Sequence, residues 1–366
     1  MMAARQTFKI AVVPGDGIGN EVVPEGVRVL DALAAMPDAP FAFAYDTFPW
    51  GCRYYLEHGV MLPPDGLATL RGYDAIYFGA VGWPGVPDHI SLWGLRLAIC
   101  QGFDQYANIR PVRLLAGVES PLRHATRENM DWVVVRENTE GEYAGVGGRN
   151  FIGRGAGKEI AVQAGLFTAE GCERIIRYAF DLARTRDRKK VTSVTKSNAQ
   201  QYGMVLWDET FARVAQEYPE VETEQWLVDA MAARFVLRPD TLSVVVASNL
   251  FADILSDLGS ALAGSLGIAA SANLDPLHRY PSMFEPVHGS APDIAGQGIA
   301  NPIGAIWSAA LMLDHLGFPA AGTQIVDAIE AATAAGHVTP DLGGTSTTRD
   351  ATDAILAHLS RMVSVR

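Results

Sequence analysis

The sequence predicts an α/β protein with a largely parallel sheet. Three observations carry this: short apolar runs recur along the 366 residues, an amphipathic segment lies between two of them, and turn residues punctuate the joins. Lys9–Val13 reads as a buried strand, broken by the turn Pro14-Gly15-Asp16-Gly17-Ile18-Gly19. A helix follows through Val22, Val23, Val27 and Leu30. Ala75–Phe78 is a second short apolar run, ended by Gly79. Trp132–Val135, Val191–Thr195 and the valine-rich Leu242–Ala247 complete the set. Between the third and fourth runs Thr168 suits an N-cap, and Ile175, Ile176, Ala179, Phe180 and Ala183 recur at helical spacing. At roughly 100–200 residues per domain the length suggests two or three domains. No linker or repeat separates them, so the chain is expected to pass between domains through packed elements.

Composition narrows the function. Hydrophobic residues make up 49% and charged residues 19%, which argues against disorder. The net charge is -12, from 29 basic and 41 acidic residues. The basic cluster Arg184–Lys190 is interrupted by Thr185 and Asp187, so neither a nucleic acid nor a membrane is expected as a partner. No apolar stretch reaches the roughly 18 residues of a membrane span. The N-terminus enters a strand-like run by Phe8 without a signal-peptide layout. Cys52, Cys100 and Cys172 are too few and too scattered for a disulfide framework or a thiolate metal site. A reducing cytoplasm is the expected home.

Four segments hold candidate chemistry. The Gly15–Gly19 turn follows a strand and opens a helix, but its third glycine comes two residues after the second, where the dinucleotide fingerprint needs three. It reads as a tight turn. In Ser248–Asp257, Asn249 suits a cap, and Asp253 and Asp257 share one helix face. Like charges at that spacing repel unless a hard cation such as Mg²⁺ or Mn²⁺ sits between them. A solvated acidic face is the alternative, weakened by the neighbours Leu250, Phe251, Ile254, Leu255 and Leu258. Lys196 lies just past a strand, where parallel sheets bind ligands, though an ordinary surface lysine fits as well. Glu285–Asp293 is a proline-containing loop mixing acids, His288 and Gly289, suited to binding or to a plain surface loop.

Together these segments resemble the β-decarboxylating dehydrogenases, the family of isopropylmalate, isocitrate, tartrate and D-malate dehydrogenases. The resemblance covers nearly the whole chain. Its motifs are Pro14–Gly19, Asn108-Ile109-Arg110-Pro111, Val135–Tyr143, Thr195-Lys196-Ser197-Asn198, Asn249–Asp257, Glu285–Asp293 and Ile299–Pro302. Pro87–Gly94 and Phe103–Tyr106 look most like the tartrate/D-malate branch. The resemblance implies the isopropylmalate dehydrogenase-like two-domain fold, not a standard Rossmann fold. Residues 1–105 and 264–366 would form a discontinuous cofactor domain. Residues 106–263 would form a smaller domain carrying metal and substrate residues and the interface of a homodimer.

The same resemblance implies the roles. Asp229, Asp253 and Asp257 would hold Mg²⁺ or Mn²⁺, with Asp229 and Lys196 supplied by the partner subunit, so that the two active sites are shared. Lys196 would accept the hydroxyl proton of a small 2-hydroxy diacid and Tyr143 would protonate C3 after CO₂ leaves. Arg110 and Arg136 would grip substrate carboxylates. NAD would lie against Glu285, His288, Gly289, Ser290, Ala291, Asp293, Ile294 and Asn301, with Asp293 accepting from ribose hydroxyls and Asn198 near the nicotinamide.

One position departs from the family pattern. The arginine expected ten residues before Arg110 is Cys100, and Arg96 stands one helical turn earlier. Three explanations follow. Arg96 replaces the missing guanidinium; or the substrate is a larger 3-substituted malate with a distal polar or anionic group met by Arg96; or the chain is a weakened regulatory homologue.

Overall fold

The computed structural model describes residues 5–155 and 157–364, so the outermost residues of the expected cofactor-domain segments lie outside the described residues. The strands are β1 (Gln6–Gly15), β2 (Phe41–Thr47), β3 (Ala75–Ala80), β4 (Ala107–Arg113), β5 (Asp131–Glu137), β6 (Gly147–Asn150), β7 (Ile160–Gln163), β8 (Lys190–Thr195), β9 (Glu222–Leu227), β10 (Val244–Ala247), β11 (Ala270–Leu274) and β12 (Ser282–Pro286). Ten of them form one sheet in the order β2-β1-β3-β12-β11-β4-β5-β10-β8-β9, and β6 and β7 form a separate hairpin. Every residue of β3, β8, β10, β11 and β12 is buried, as expected for strands covered on both faces.

The expected parallel sheet forms in both wings, where β2, β1, β3 and β12 run parallel, as do β5, β10, β8 and β9. The middle is antiparallel: β12 with β11, β11 with β4 and β4 with β5. These middle strands escape a sequence reading because they carry buried polar residues, Asn108 and Arg110 on β4, Ser271 and Asn273 on β11. Their polar side chains break the apolar pattern that marks the other strands. The chain thus passes from one wing to the other within a single sheet.

The predicted helix forms over Ala169–Arg184, with the Thr168 side chain accepting from the Gly171 amide at 2.9 Å. The helix Asn249–Leu262 starts one residue differently than expected: Ser248 is its N-cap, and the Asn249 side chain is engaged elsewhere. The basic cluster is consumed in ion pairs, Arg184 with Glu220 at 2.5 Å, Arg186 with Asp131 at 2.7 Å and Lys190 with Glu222 at 3.0 Å. All three cysteines are free and buried. Among the described residues no helix is long and apolar enough to cross a membrane.

The glycine turn is a tight turn wedged between two backbones. Gly15 has φ +72° and Gly17 φ +53°. The Asp16 amide donates to the Ala80 carbonyl at 2.9 Å and the Ile18 amide to the Ser290 carbonyl at 2.9 Å, which ties β1 and β3 to the 285–301 loop. A Cβ on Gly15 would fall 1.9 Å from the Ala80 carbonyl oxygen. Gly15→Ala is therefore expected to lower stability by about 2 kcal/mol or more in urea denaturation. Gly59 has a similar φ of +77° with nothing near its Cβ position, so Gly59→Ala should cost only about 1 kcal/mol.

Candidate active site

The parallel register places several candidates at one edge of the sheet. Ala247 of β10 pairs with Arg136 of β5, and Thr195 of β8 with Leu227 of β9. Asn249, Lys196 and Asp229 follow directly beyond these carboxyl ends. Arg110 comes from β4, two residues from Asn108 and so on the same strand face. Arg96 ends a π-helical turn, Leu92–Arg96, inside the helical stretch 88–102.

Three guanidiniums meet in one cavity of about 180 Å³, lined by Arg96, Arg110, Arg136, Tyr143, Asp253 and Glu285 among others. Arg136 donates from Nε to Asn249 Oδ1 at 2.9 Å and forms a very close ion pair with Asp253. Asn249 in turn donates to the Glu140 carbonyl at 3.1 Å. Arg110 donates to Asn108 Oδ1 at 2.9 Å and to Ser256 Oγ at 2.7 Å, and lies 3.5 Å from both Asp253 and Asp257. Burial pushes the Arg110 guanidinium down to about 10, and the neighbouring Arg136 adds to this. Burial opposes the charge on Asp253, but Arg136 and Arg110 outweigh it and hold its carboxyl below the usual range. Asp257 moves the other way, raised by burial against the pull of Arg110. The Tyr143 hydroxyl donates to Asp253 Oδ2 at 3.3 Å, and the Arg136 guanidinium sits 5.3 Å from its ring centre. Burial, reinforced by Asp253, raises the Tyr143 phenol.

Arg96 is buried and paired. Its Nε donates to Glu285 Oε1 at 2.8 Å, and its Nη2 lies 2.7 Å from the same oxygen. Cys100 is fully buried in the same apolar cluster as Leu95, Ile99 and Phe103 and is not part of the cavity lining; burial pushes its thiol up to about 11. One residue that the sequence did not flag joins these parts. Asn273 Oδ1 accepts from Arg96, Asn108 and Asn138 at 3.2, 2.8 and 3.0 Å, and its Nδ2 donates to Glu285 Oε1 at 2.7 Å. The available signal was two polar residues, Ser271 and Asn273, alternating with apolar ones in the fully buried strand Ala270–Leu274.

Lys196 and Asp229 form a close ion pair of their own, outside this cavity. Hydrogen bonding to Lys196 draws the Asp229 carboxyl down. Asp253 and Asp257 offer two hard oxygen donors on one helix face, which suits a divalent cation. Among the described residues no three His, Cys, Asp or Glu side chains converge into a metal-binding cluster.

The 285–301 loop begins in the cavity and runs to the surface. His288 and Gly289 line the cavity. The His288 Nε2 is buried without a partner, and burial lowers the imidazole, leaving a neutral ring with an orphaned nitrogen. Asp293 is exposed, Ile294 half-buried, and Ala291 has φ +41°. The Ser290 carbonyl is taken by Ile18. Asn301 donates to Asp341 at 3.0 Å and accepts from the Ile303 amide at 3.0 Å. Asn198 is exposed in the turn after Lys196. A loop with an orphaned buried ring nitrogen and an open carboxylate fits a nucleotide with ribose hydroxyls.

The Asn249 side-chain amide oxygen, Oδ1, is the acceptor that orients the fully buried Arg136. Asn249→Ala is expected to cost about 1–3 kcal/mol in urea denaturation by stranding that donor.

Residues 9–355 match the family described as isocitrate/isopropylmalate dehydrogenase. A protein named "Probable tartrate dehydrogenase/decarboxylase" from Agrobacterium vitis is 57% identical over 348 residues, covering 95% of each chain. The D-malate dehydrogenase (decarboxylating) of Escherichia coli is 52% identical, covering 97% of this chain and 99% of its own. The crystal structure of isocitrate dehydrogenase from Methylococcus capsulatus superposes with a TM-score of 0.85 at 35% identity, over 96% of this chain and 99% of that one. Matches of this length and identity, on the architecture and cavity described above, leave one conclusion: the chain belongs to the isocitrate/isopropylmalate dehydrogenase family.

Proposed function

We propose that the chain catalyses NAD-dependent oxidative decarboxylation of a small 2-hydroxy diacid, tartrate or D-malate, with Mg²⁺ or Mn²⁺, in the cytoplasm. The observation that carries this reading is the cavity itself, where three guanidiniums, Tyr143 and Asp253 face the start of the 285–301 loop. The names of the relatives support the substrate class. A cavity of about 180 Å³ suits a four-carbon diacid.

In this reading Arg110 and Arg136 bind the substrate carboxylates, since their guanidiniums are buried and fixed by Asn108, Ser256 and Asn249. Asp253, Asp257 and the partner subunit's Asp229 would hold the cation, which when bound supplies Lewis-acid stabilisation of charge on the substrate's C2 oxygen. The partner subunit's Lys196 accepts the hydroxyl proton. The 285–301 loop would hold NAD, which when bound supplies the hydride acceptor; Asp293 would accept from its ribose hydroxyls and Asn198 would lie near the nicotinamide. Tyr143 keeps its proton, because burial and Asp253 raise its phenol, and delivers it to C3 once CO₂ has left. Cys100 is the small filler beneath Arg96.

Residues 1–105 with 264–366, and 106–263, form the two domains of this reading, and the second of them pairs two copies. Exposed apolar side chains support that pairing: Ile160 and Val162 on the hairpin, Trp226 at the sheet edge, and Val236 and Leu237 on the helix Val228–Leu237. An isolated Lys196–Asp229 pair on the same chain is what shared sites require, because its complement, Asp253 and Asp257, would belong to the other copy.

Three expected outcomes test the reading. Lys196→Met and Asp253→Asn should each abolish NADH formation from tartrate and D-malate in the presence of Mg²⁺ or Mn²⁺. Unfolding and refolding the two variants together should restore about one quarter of wild-type activity, since half of random dimers are mixed and each mixed dimer has one intact site. Recovery of nothing, with mixed dimers present by mass spectrometry, rules out shared sites. Replacing Asp293 with lysine should raise the KM for NAD at least tenfold and improve use of NADP, read from initial rates, because a cation there welcomes the extra phosphate.

A further inference from the structure

The turn that carries Tyr143 is held from two sides. Glu142–Ala144 form a single 3₁₀ turn between two glycines in the left-handed region, Gly141 at φ +68° and Gly145 at φ +74°. Glycine at both ends leaves the turn few steric limits of its own, so its bonds to the rest of the chain fix its place. Gly141 exchanges backbone bonds with Leu166 at 2.8 and 3.1 Å, and the Glu142 carbonyl accepts from Gln163 Nε2 at 2.7 Å. Both of these ties come from the segment 163–166. The Tyr143 carbonyl instead accepts from Gln101 Nε2 at 2.8 Å. Gln101 lies on the helical stretch 88–102, which also carries Leu92 and Arg96 of the cavity wall. Trp93, on the same stretch, abuts the other end of the turn: a Cβ on Gly145 would lie 3.2 Å from its ring.

The Tyr143 side chain has no comparable anchor. Its hydroxyl reaches Asp253 at 3.3 Å, a long bond, and its contact with Arg136 is a ring-face contact at 5.3 Å. Placement of the phenol thus falls largely to the backbone of the turn. Gln101 is exposed and does not line the cavity, so it acts on that placement without meeting the substrate. We propose that Gln101 is a positioning residue: its amide ties the Tyr143 turn to the helical stretch that carries Arg96 and so sets the phenol at C3 of the bound diacid. This rests on the reaction proposed above and adds a residue to its last step. In that step the electron pair left on C3 by departing CO₂ takes the phenol proton, the C2 oxygen returns to a carbonyl, and water reprotonates the phenolate. Hydride transfer and loss of CO₂ come earlier and do not use Tyr143. Misplacing a reacting group by about 1 Å costs on the order of a hundredfold; with the 163–166 ties intact, loss of the Gln101 bond should cost about tenfold in kcat.

Stopped-flow formation of NADH from D-malate, with NAD and Mg²⁺, tests it in the wild type, Gln101→Met and Gln101→Lys. Methionine keeps the length of glutamine and removes the donor; lysine restores N–H donors on a long chain. Position 101 is exposed, so both variants should fold. In Gln101→Met the first turnover of NADH should keep its wild-type rate. The steady-state kcat should then fall about tenfold while kcat/KM, set by the steps up to CO₂ release, stays unchanged. Gln101→Lys should recover most of the loss. A second readout needs no turnover: in fluorotyrosine-labelled protein, the ¹⁹F resonance assigned by Tyr143→Phe should move or broaden in Gln101→Met and return in Gln101→Lys. A first turnover slowed as much as the steady state overturns the proposal, because the bond then supports the cavity in general. So does an unchanged kcat, a loss that Gln101→Lys leaves unrepaired, or a resonance that stays in place in Gln101→Met. If the wild type forms no NADH from D-malate, the proposed reaction fails separately, and the ¹⁹F spectra decide whether Gln101 holds Tyr143.

Discussion

The site depends on keeping three buried guanidiniums together. Arg96, Arg110 and Arg136 are each less than a tenth exposed, and their mutual repulsion in a low-dielectric cavity would drive them apart without compensation. Three carboxylates provide it, Asp253 for Arg136 and Arg110, Asp257 for Arg110, and Glu285 for Arg96. The lowered Arg110 and lowered Asp253 are the two sides of that balance. Neutral acceptors fix the directions: Asn249 for Arg136, Asn108 for Arg110 and Asn273 for Arg96. Each charged group is thereby oriented by an amide that cannot titrate.

The reversal of strand direction in the sheet serves the same end. Because β4 and β11 run antiparallel in the middle, Asn108 pairs with Asn273 across the ladder and with Arg136 on the other side. One asparagine therefore stands between the arginine of β5 and the hub on β11. A uniformly parallel sheet would have placed a crossover helix between those strands. The glycine turn adds the third fixed point, since its backbone bonds to Ala80 and Ser290 hold the 285–301 loop against β1 and β3.

Arg96 illustrates how burial changes the meaning of a residue. An arginine one helical turn from a missing anchor invites the thought of a free guanidinium reaching for a carboxylate. Beside Glu285 it is instead half of a buried ion pair. The π-helical turn that ends at Arg96 sets its direction, and no spacing rule written for a regular helix anticipates that.

The apolar strands, the Thr168-capped helix, the tight glycine turn and the shared face of Asp253 and Asp257 were determined by the sequence alone, because each follows from the periodicity or chemistry of neighbouring residues. The strands β4, β11 and β12 were not legible, since Asn108, Arg110, Asn273 and Glu285 interrupt their apolar pattern. Tertiary structure alone decided that those polar residues are buried together, that Glu285 answers Arg96 across 189 positions of chain, and that Lys196 joins Asp229 instead of the Asp253 cluster. The physical reason is the same in each case: the partner that makes burial of a charge tolerable is distant in sequence, and only the folded sheet brings it within hydrogen-bonding reach.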